Sequence, residues 1–520
     1  MAIRILLSVT RASFVSTVLS ISLLGSLLSS EASAQSAPQT ALYNSPVATA
    51  KYYEAADAKL IWTEAADFQD LLTALEGLRA QGLTPEDYHL SQLQTMPSGT
   101  EARDRLATDA WMSAAAHMLH GKLNPLSVEP DWTAARREAD LPRALTVALA
   151  TNGVAKSLDA FAPSQPSYAA LKSELATLTR QAAQDVTLIP PGETLKLGMK
   201  TPRVEMLKMR LAELGYLGAG EGGNALDDVT VEAVKAFQSA SDLDADGAVG
   251  LATLAALNRG LEGKINQLRI NMERWRWLPN DLGKRHLRAN IAGFDVTAWN
   301  EGKVESRHLT VVGRTYRKTP VFSDSVKYLV FNPWWETPNS LATRDKLPTF
   351  RKDPSAVERL GFQILNRQGQ VVPATSINWN EVSGSNFPYR IRQRPGELNA
   401  LGQVKIMFPN KHNVYLHDTP TKGLFAQRQR AFSSGCLRTE NPIGLSEWLL
   451  SETDGWDRVR IDTALATGKE TRANLKAPVP VHILYFTAVN EGSYGVRYLD
   501  DIYDRDSKVL AGLNQKAKPR

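Results

Sequence analysis

Apolar residues in the N-terminal third recur at intervals of three and four, the spacing of one face of an α-helix. The clearest run contains Phe68, Leu71, Leu72, Leu75 and Leu78. This periodicity begins near residue 52 and predicts a helical scaffold domain over residues 51–190. Residues 35–50 are rich in Ala, Ser, Pro and Gln, a composition typical of a linker.

Residues 193–260 contain three short apolar stripes, each at helical spacing. The first ends at Leu214, and Gly215 then occupies the position where many helices end in a left-handed residue. The second and third stripes contain Val231, Val234 and Phe237, and then Leu254 and Leu257. The pattern predicts a compact domain of three helices.

Beyond about residue 265 the apolar period changes to the alternation of β-strands. Strands are predicted at residues 287–299, 303–312, 326–331 and 404–416, with a hairpin turn at residues 300–302. Helices are predicted at residues 355–360 and 442–451. Residues 337–400, rich in Pro, Asn, Arg and Ser, are predicted to be an insertion over the sheet. The expected fold is therefore multidomain α+β, with a mainly-β domain over residues 265–480 and a C-terminal extension over 481–520.

The first 34 residues have the character of a secretory signal. Arg4 and Arg11 flank an apolar run, which ends in the sequence Ala-Ser-Ala at residues 32–34. An uncleaved anchor is the alternative, because the run is only slightly shorter than a membrane-spanning helix. Either outcome exports the chain after Gln35, and cleavage would leave no stable membrane insertion.

The composition is that of a folded globular protein. Of its 520 residues, 43% are hydrophobic and 22% are charged, and the length is sufficient for several domains. The net charge of +5 is mild, and no long run of Lys and Arg predicts a nucleic-acid groove. A slight positive charge suits an anionic polymer.

Cys436 is the single cysteine in the chain, so it cannot form an intrachain disulfide. An exposed lone thiol is open to oxidation outside the cytoplasm, and a buried inert cysteine is the alternative. Cys436 lies in the hexapeptide SSGCLR at residues 433–438, 19 positions after His417. A neighbouring imidazole can accept the thiol proton and later return it to a leaving amine. The pattern predicts that Cys436 is a nucleophile and His417 its base, with His412 as the rival base.

Gly435 precedes the cysteine and lets the main chain pass close to a substrate. The amides of Gly435 and Cys436 are therefore predicted to donate hydrogen bonds to an oxyanion.

These residues resemble the catalytic signature of the YkuD-type L,D-transpeptidases, a strand-borne His before Ser-x-Gly-Cys-[Leu/Ile/Val]-Arg. The resemblance extends upstream through Val312-Gly313, Thr319-Pro320 and the octapeptide FNPWWETP at residues 331–338. Residues 193–260 are similar to the peptidoglycan-binding type 1 domain through Leu214-Gly215-Tyr216 and the sequence DGAVG at residues 246–250. The whole chain resembles the large scaffolded periplasmic members of the family.

By this resemblance Cys436 attacks the carbonyl of the third stem-peptide residue of peptidoglycan and releases the terminal D-alanine. The side-chain amine of a second stem then resolves the thioester, which gives a 3→3 cross-link without a metal or an organic cofactor. The group that supports the histidine is a main-chain carbonyl, here that of Asp418. The insertion would cap the site, and carbapenems are expected to acylate Cys436.

The matched motifs also predict residues that bind the substrate. They are Asn332, Trp335, Tyr415, Ser433, Ser434 and Arg438. Arg438 is expected to bind a substrate carboxylate, to stabilise the cysteine loop or to form a structural salt bridge. Tyr415 is expected either to line the donor site or to pack in the core. The residues alone leave these alternatives open.

The expected partners are the stem peptides and glycan of peptidoglycan, with no nucleic acid. The same thioester could also serve an L,D-carboxypeptidase or the attachment of a protein to the wall. A wall-binding scaffold without activity is the non-enzymatic alternative, which the presence of both His417 and Cys436 disfavours. His117 and His120 lie on one predicted helix face without further ligands, so no metal site is predicted.

Overall fold

The structure is a computed structural model that describes residues 45–57, 59–182, 187–218, 220, 222–241, 243–258, 260–490 and 492–515. The predicted signal at residues 1–34 lies outside this range, as do residues 35–44 of the predicted linker. No helix in the described part of the chain combines the length and apolar character needed to cross a bilayer. The predicted fold class, with a helical N-terminal part, a three-helix domain and a mainly-β domain, is confirmed.

The helical scaffold contains eight α-helices among the described residues. They are α1 (Ser45–Ala55), α2 (Ala65–Glu76), α3 (Leu90–Thr95), α4 (Glu101–His120), α5 (Pro125–Val128), α6 (Leu141–Ala150), α7 (Val154–Ser157) and α8 (Pro166–Ala182). The central helix α4 begins at a side-chain cap, in which Thr100 accepts a hydrogen bond from the amide of Arg103. The linker prediction is wrong for residues 45–50, which form the first half of α1. Composition missed this helix because a tertiary contact stabilises it, the bond from the buried Tyr53 hydroxyl to Asp104 of α4.

The three predicted stripes are the helices α9 (Pro202–Glu213), α10 (Asp228–Ala240) and α11 (Leu251–Asn258). Their apolar residues meet in a core of their own that includes Val204, Leu207, Leu211, Val234, Phe237, Leu254 and Leu257. Gly215 has φ +77° directly after α9, as predicted. The buried Gln238 fixes the turn before α11, because its Oε1 accepts from the amide of Gly247 and its Nε2 donates to the carbonyl of Ala248.

A long helix, α12 (Gly260–Arg276), connects the three-helix domain to the β-domain. The predicted boundary at residue 265 is therefore wrong, because it falls inside α12. The helix packs against α8 through Leu268 and Met272, and its Arg276 and Glu273 form a fully buried ion pair. Burial on several sides at once removes the one-sided stripe by which a surface helix is recognised.

The strands of the described chain all follow α12. They are β1 (Arg285–Asn290), β2 (Asp295–Asn300), β3 (Lys303–Gly313), β4 (Phe322–Phe331), β5 (Trp335–Glu336), β6 (Phe362–Leu365), β7 (Val371–Val372), β8 (Arg390–Gln393), β9 (Val404–Met407), β10 (Leu416–His417), β11 (Ala431–Ser433), β12 (Leu437–Thr439), β13 (Thr471–Leu484), β14 (Ala488–Asn490) and β15 (Val496–Tyr498). The main sheet has the order β11-β3-β12-β10-β9-β4-β13-β1-β2, and β2 also pairs with β3. This pairing closes eight of the strands into a ring.

Two of the predicted strands are each divided by a turn into two shorter segments. Residues 287–299 turn at 291–294, where Phe294 has φ +52°, so that β1 and β2 form a hairpin. Residues 404–416 are interrupted after β9 by a turn in which the Asn410 side chain donates to the carbonyls of Phe408 and Val414. The C-terminal boundary predicted at 480/481 falls inside β13.

The insertion forms a small subdomain, as predicted, and we call residues 335–400 the cap. Its sheet has the order β5-β8-β6-β7, and its helices are α13 (Asn339–Leu341), α14 (Leu347–Lys352) and α15 (Ala356–Arg359), with a π-helix over Ala342–Lys346. Phe350 packs edge-on against Phe362 and Trp379 in its interior. The remaining helices are α16 (Pro442–Leu450), α17 (Arg458–Ala466) and α18 (Asp506–Asn514).

Candidate active site

The strand register brings the predicted nucleophile and base to one face of the main sheet. On β10, His417 lies opposite Lys405 of β9 and opposite Arg438 of β12. Residues in register point to the same side of a sheet, and residues two positions apart on a strand do so as well. Tyr415 and Cys436 therefore form the next row on the same face, where the amide of Leu437 donates to the carbonyl of Tyr415.

His417 is held as a neutral base. Its side chain is 5% exposed, and its Nδ1 bonds to the main-chain carbonyl of Asp418. A carbonyl only accepts, so Nδ1 carries the proton and Nε2 has a free lone pair. The pKa of His417 is lowered to about 3, mainly by burial and also by the charges of Arg438 and Lys405, while the hydrogen bond to the Asp418 carbonyl opposes this shift. The predicted main-chain role of Asp418 fits this geometry.

The carboxylate of Asp418 has a separate structural role. It accepts a hydrogen bond from the amide of Gln403 at 2.8 Å and forms an ion pair with Lys422. Gly402 has φ +59°, and a Cβ there would lie 2.3 Å from the carboxylate, so this close approach requires glycine. The turn that presents the histidine is thus fixed from both sides.

Cys436 is half-buried, and its thiol donates to the carbonyl of Asn413, with an Sγ–O distance of 3.6 Å. Burial raises the pKa of the Cys436 thiol, while hydrogen bonds from the main chain and hydroxyl of Tyr415, and then the charges of Lys405 and Arg438, lower it. Burial thus favours the uncharged form of both the thiol and the imidazole. The proton remains on sulfur in the resting site and must move during attack.

The loop before Cys436 is tied by internal hydrogen bonds. Gly435 has φ +120°, a conformation that favours glycine. Its amide donates to Ser433 Oγ at 3.1 Å, and Ser433 Oγ donates to the Cys436 carbonyl at 2.6 Å. Ser433 is 2% exposed and its hydroxyl bonds within the loop, so its contact with substrate stays a prediction. The Gly435 amide is engaged with Ser433, so its role as an oxyanion donor would require release of that bond and also stays a prediction. The Cys436 amide, which has no partner among the described residues, remains the candidate donor.

Two cations flank this row of residues without a carboxylate partner. No Asp or Glu in the described ranges lies within 4 Å of the charged nitrogens of Arg438 or Lys405, so the salt-bridge alternative for Arg438 is not realised. The Lys405 ammonium lies 4.1 Å from the centre of the Tyr415 ring. Sequence reasoning missed Lys405. The alternation of Lys405 with the apolar Val404 and Ile406 predicts that its side chain points away from the core. The sequence does not show that His417 is its neighbour on the next strand.

The aromatic residues predicted at the site are buried. Tyr415 lies edge-on to His417, with 5.6 Å between ring centres, and it belongs to the same buried core as Trp335 of the cap. Tyr415 thus packs in the interior, as one of its two alternatives expects, and its place in the wall of the donor site stays a prediction. Asn332, which was predicted to bind substrate, has a structural role in this state. Its φ is +47°, and its amide donates to the carbonyls of Ala464 and Leu465 in a buried turn.

Ser434 connects the nucleophile loop to the cap through Arg317. The Arg317 Nη1 donates to Ser434 Oγ at 3.0 Å. The same guanidinium forms a two-bond ion pair with Asp345 of the π-helix in the cap, at 2.9 and 3.0 Å. The sequence gave no indication of this connection, because its three residues are far apart in the chain.

The other histidines considered lie elsewhere. His412 packs against Phe322 and approaches Asp131 at 3.5 Å, so it is not in the row with the thiol. His117 is half-buried and hydrogen-bonded to the Tyr88 hydroxyl. Within the described ranges, no group of three or more His, Cys, Asp or Glu side chains is placed to hold a metal ion.

Comparison with known families agrees with this geometry. Residues 284–479, which contain both His417 and Cys436, match the family model described as the L,D-transpeptidase catalytic domain. Residues 47–175 match a scaffold domain, and residues 200–257 match a domain described, provisionally, as peptidoglycan binding.

Individual proteins show the same similarity. A Haemophilus influenzae protein, named as a provisional L,D-transpeptidase, is 37% identical over 255 residues. The match covers 49% of this chain and about half, 51%, of the relative. The solved L,D-transpeptidase structure from Xylanimonas cellulosilytica is 17% identical, with 57% of this chain and 99% of that chain covered and a TM-score of 0.19. The one from Stackebrandtia nassauensis is 11% identical, with 58% and 97% covered and a TM-score of 0.21. At these TM-scores neither structure supports a further argument.

Proposed function

We propose that this protein is an exported cysteine L,D-transpeptidase that forms 3→3 cross-links between peptidoglycan stem peptides in the periplasm. The observation that carries the proposal is the placement of Cys436 and a neutral His417 on one sheet face. The tautomer is fixed, because the Asp418 carbonyl holds Nδ1. This leaves Nε2 as the acceptor for the thiol proton.

In the first step the Cys436 sulfur attacks the carbonyl carbon of the third stem residue. The thiol proton passes to His417 Nε2, and the C–S bond forms as the carbonyl oxygen becomes an anion. The Cys436 amide donates to this oxyanion, and Lys405 and Arg438 stabilise the charge. The C–N bond then breaks, and His417 returns the proton to the departing D-alanine amine. The product is a thioester.

In the second step the side-chain amine of another stem attacks the thioester. His417 removes a proton from the attacking nitrogen, the C–S bond breaks, and the proton returns to the sulfur. The peptide bond released in the first step is replaced by the peptide bond of the cross-link, so no energy source or metal is required.

The unpaired cations fit the charge of the donor stem. A stem that ends in D-alanine carries a terminal carboxylate, and its third residue usually carries a side-chain amine for the acceptor role. Arg438 and Lys405 are the groups that would meet a donor carboxylate. The three-helix domain would hold the enzyme on the same polymer, in line with its family match.

Muropeptide analysis tests the proposal. The protein from Gln35 onward is incubated with disaccharide tetrapeptides, and the products are separated and sequenced by mass spectrometry. We expect 3→3 dimers with wild type and none with Cys436→Ala. Tripeptides without dimers would indicate an L,D-carboxypeptidase instead. Dimers formed by Cys436→Ala at the wild-type rate would overturn the mechanism.

A further inference from the structure

A second cavity lies away from the catalytic row, on the face of the β1–β2 hairpin. It has a volume of about 840 Å³, within the range of ordinary ligand sites. Strands β1, β2 and β3 form its floor. The start of α8, the segment at residues 280–284 and the end of β13 form its walls. None of the residues assigned to the transpeptidase reaction lines it.

The floor of this cleft is polar although three other segments enclose it. A sheet face that other segments cover is ordinarily apolar, because it forms a core. Here the side chains that line the cleft from β1 and β2 are His286, Arg288, Asn290, Asp295, Thr297 and Trp299. The apolar side chains of the same strands, such as Leu287 and Val296, point to the other face and are fully buried. The polar face is thus a separate feature that the core does not require.

The charges in the cleft leave one cation without a carboxylate. Arg307 forms an ion pair with Asp295 at 2.8 Å, and Lys284 forms one with Glu301 at 2.7 Å. The Arg288 side chain forms no ion pair within 4 Å in the described part of the chain, and its Nε has no hydrogen-bond partner there. Burial lowers the pKa of Arg288 to about 9, and the nearby charge of Asp295 opposes this shift, as a bound anion would.

An aromatic platform lies under this cation. The Arg288 guanidinium is 3.3 Å from the centre of the Trp299 ring, and the His286 ring is parallel to the indole at 5.9 Å. His286 is 6% exposed, and its Nε2 has no hydrogen-bond partner among the described residues. The same is true of Gln165 Oε1 in the wall of the cleft. Unmet buried polar atoms of this kind call for a polar ligand or water.

We propose that this cleft binds wall glycan at a muramic acid residue whose carboxylate is free of stem peptide. The fork of Arg288 would take the carboxylate in two hydrogen bonds. The indole edge and the polar side chains of the floor suit the apolar faces and hydroxyl groups of sugar rings. The choice of polymer rests on the proposed function, whereas the presence of an anion site rests on Arg288.

Binding to peptide-free glycan tests the inference. Glycan strands of alternating N-acetylglucosamine and N-acetylmuramic acid, stripped of peptides, are titrated into the protein from Gln35 onward by calorimetry. N-acetylglucosamine oligomers, which lack the carboxylate, and a free stem tetrapeptide are titrated in parallel. The variants are Arg288→Met, which keeps an apolar stem over Trp299, and Arg458→Met, a matched loss of an exposed arginine outside the cleft. Melting temperatures establish that both are folded.

We expect wild type and Arg458→Met to bind the carboxylated glycan equally and Arg288→Met to bind it about 10- to 100-fold more weakly, the effect of losing a charged hydrogen-bonding partner. The neutral oligomer should show no dependence on Arg288. The inference is overturned if Arg288→Met binds like wild type, if the neutral oligomer is bound equally well, or if only the free peptide depends on Arg288. The three-helix domain can bind the same polymer. The test therefore rests on the difference in glycan affinity between Arg288→Met and Arg458→Met.

Acylation of Cys436 by a carbapenem is measured on the same samples. It should be unchanged in Arg288→Met. Loss of acylation in wild type would therefore contradict the proposed function, while loss of the Arg288 effect would contradict the glycan site alone.

Discussion

Replacement of Asp345 by Asn should slow the acylation of Cys436, although Asp345 belongs to the cap and does not contact the thiol. Its carboxylate holds the Arg317 guanidinium in two hydrogen bonds, and Arg317 in turn holds Ser434 Oγ. Ser434 lies two residues before the nucleophile. Loss of the carboxylate frees both the cap and the loop that presents the Cys436 amide.

The size of the effect follows from the exposure of the pair. The Arg317 side chain is 21% exposed and that of Asp345 is 40% exposed, so solvent screens the attraction. Exposed ion pairs contribute about 0.2–1 kcal/mol, and the two-bond geometry places this one near the upper limit. A loss of ~1 kcal/mol corresponds to about a fivefold lower acylation rate. Arg317→Met removes the Ser434 bond as well and should have the larger effect.

The assay is the rate of carbapenem acylation, followed by intact-protein mass spectrometry at low ionic strength. Asp353→Asn is the matched control, because Asp353 also forms an exposed ion pair within the cap, with Arg359 at 2.6 Å. That pair does not contact the nucleophile loop. We expect wild-type acylation in Asp353→Asn, and we expect added salt to reduce the difference between wild type and Asp345→Asn. Equal rates in the two variants would refute the coupling of cap and loop.

Other predictions concern the catalytic row and the three-helix domain. Lys405→Met should slow acylation about tenfold by removing a cation beside the thiol, whereas Lys411→Met, on an exposed turn, should not. His417→Ala should lower the rate by ~10²- to 10⁴-fold, and a larger loss in His412→Ala would contradict the assigned base. The acylation rate should be level from pH 5 to pH 8, because burial lowers the pKa of His417 to about 3 and raises that of Cys436, so the neutral imidazole and neutral thiol that react are both fully populated; a step near pH 6.5 would contradict this. The three-helix domain expressed alone should sediment with intact sacculi, and a folded domain that stays in the supernatant would be a spacer.

Local patterns predicted the architecture where each element buries one face. The stripes of the three-helix domain, the end of α9 at Gly215 and the cap were all readable. The pattern failed where tertiary contacts override composition, as in α1, whose Tyr53 reaches Asp104. It also failed where burial is many-sided, as in α12, because a helix enclosed on several sides has no polar stripe to mark its period.

The site residues also differ in whether local sequence or tertiary contacts determine their roles. Cys436, His417 and the Asp418 carbonyl lie close in sequence to the strands that position them, so a local motif specified them. The substrate-binding roles of Ser433 and Asn332 stay predictions, because a polar side chain in a motif can bind a substrate or the main chain equally well. In the structure the Ser433 hydroxyl hydrogen-bonds to the main chain of Gly435 and Cys436, and the Asn332 amide donates to a main-chain carbonyl. Lys405 and Arg317 were missed because their meaning depends on strand register and on contacts across the cap.

The two cations explain how a buried thiol can react at all. Burial favours a neutral thiol, which is a poor nucleophile, so the site must stabilise negative charge when it forms. Lys405 and Arg438 flank His417 in register, on neighbouring strands, and both lower the pKa of Cys436 and of His417. They thus keep the imidazole free to accept a proton and, at the same time, favour the anion on sulfur. A single pair of strand neighbours therefore serves both halves of the proton transfer, and since neither cation forms an ion pair within 4 Å in the described chain, both can also meet the charge of the substrate.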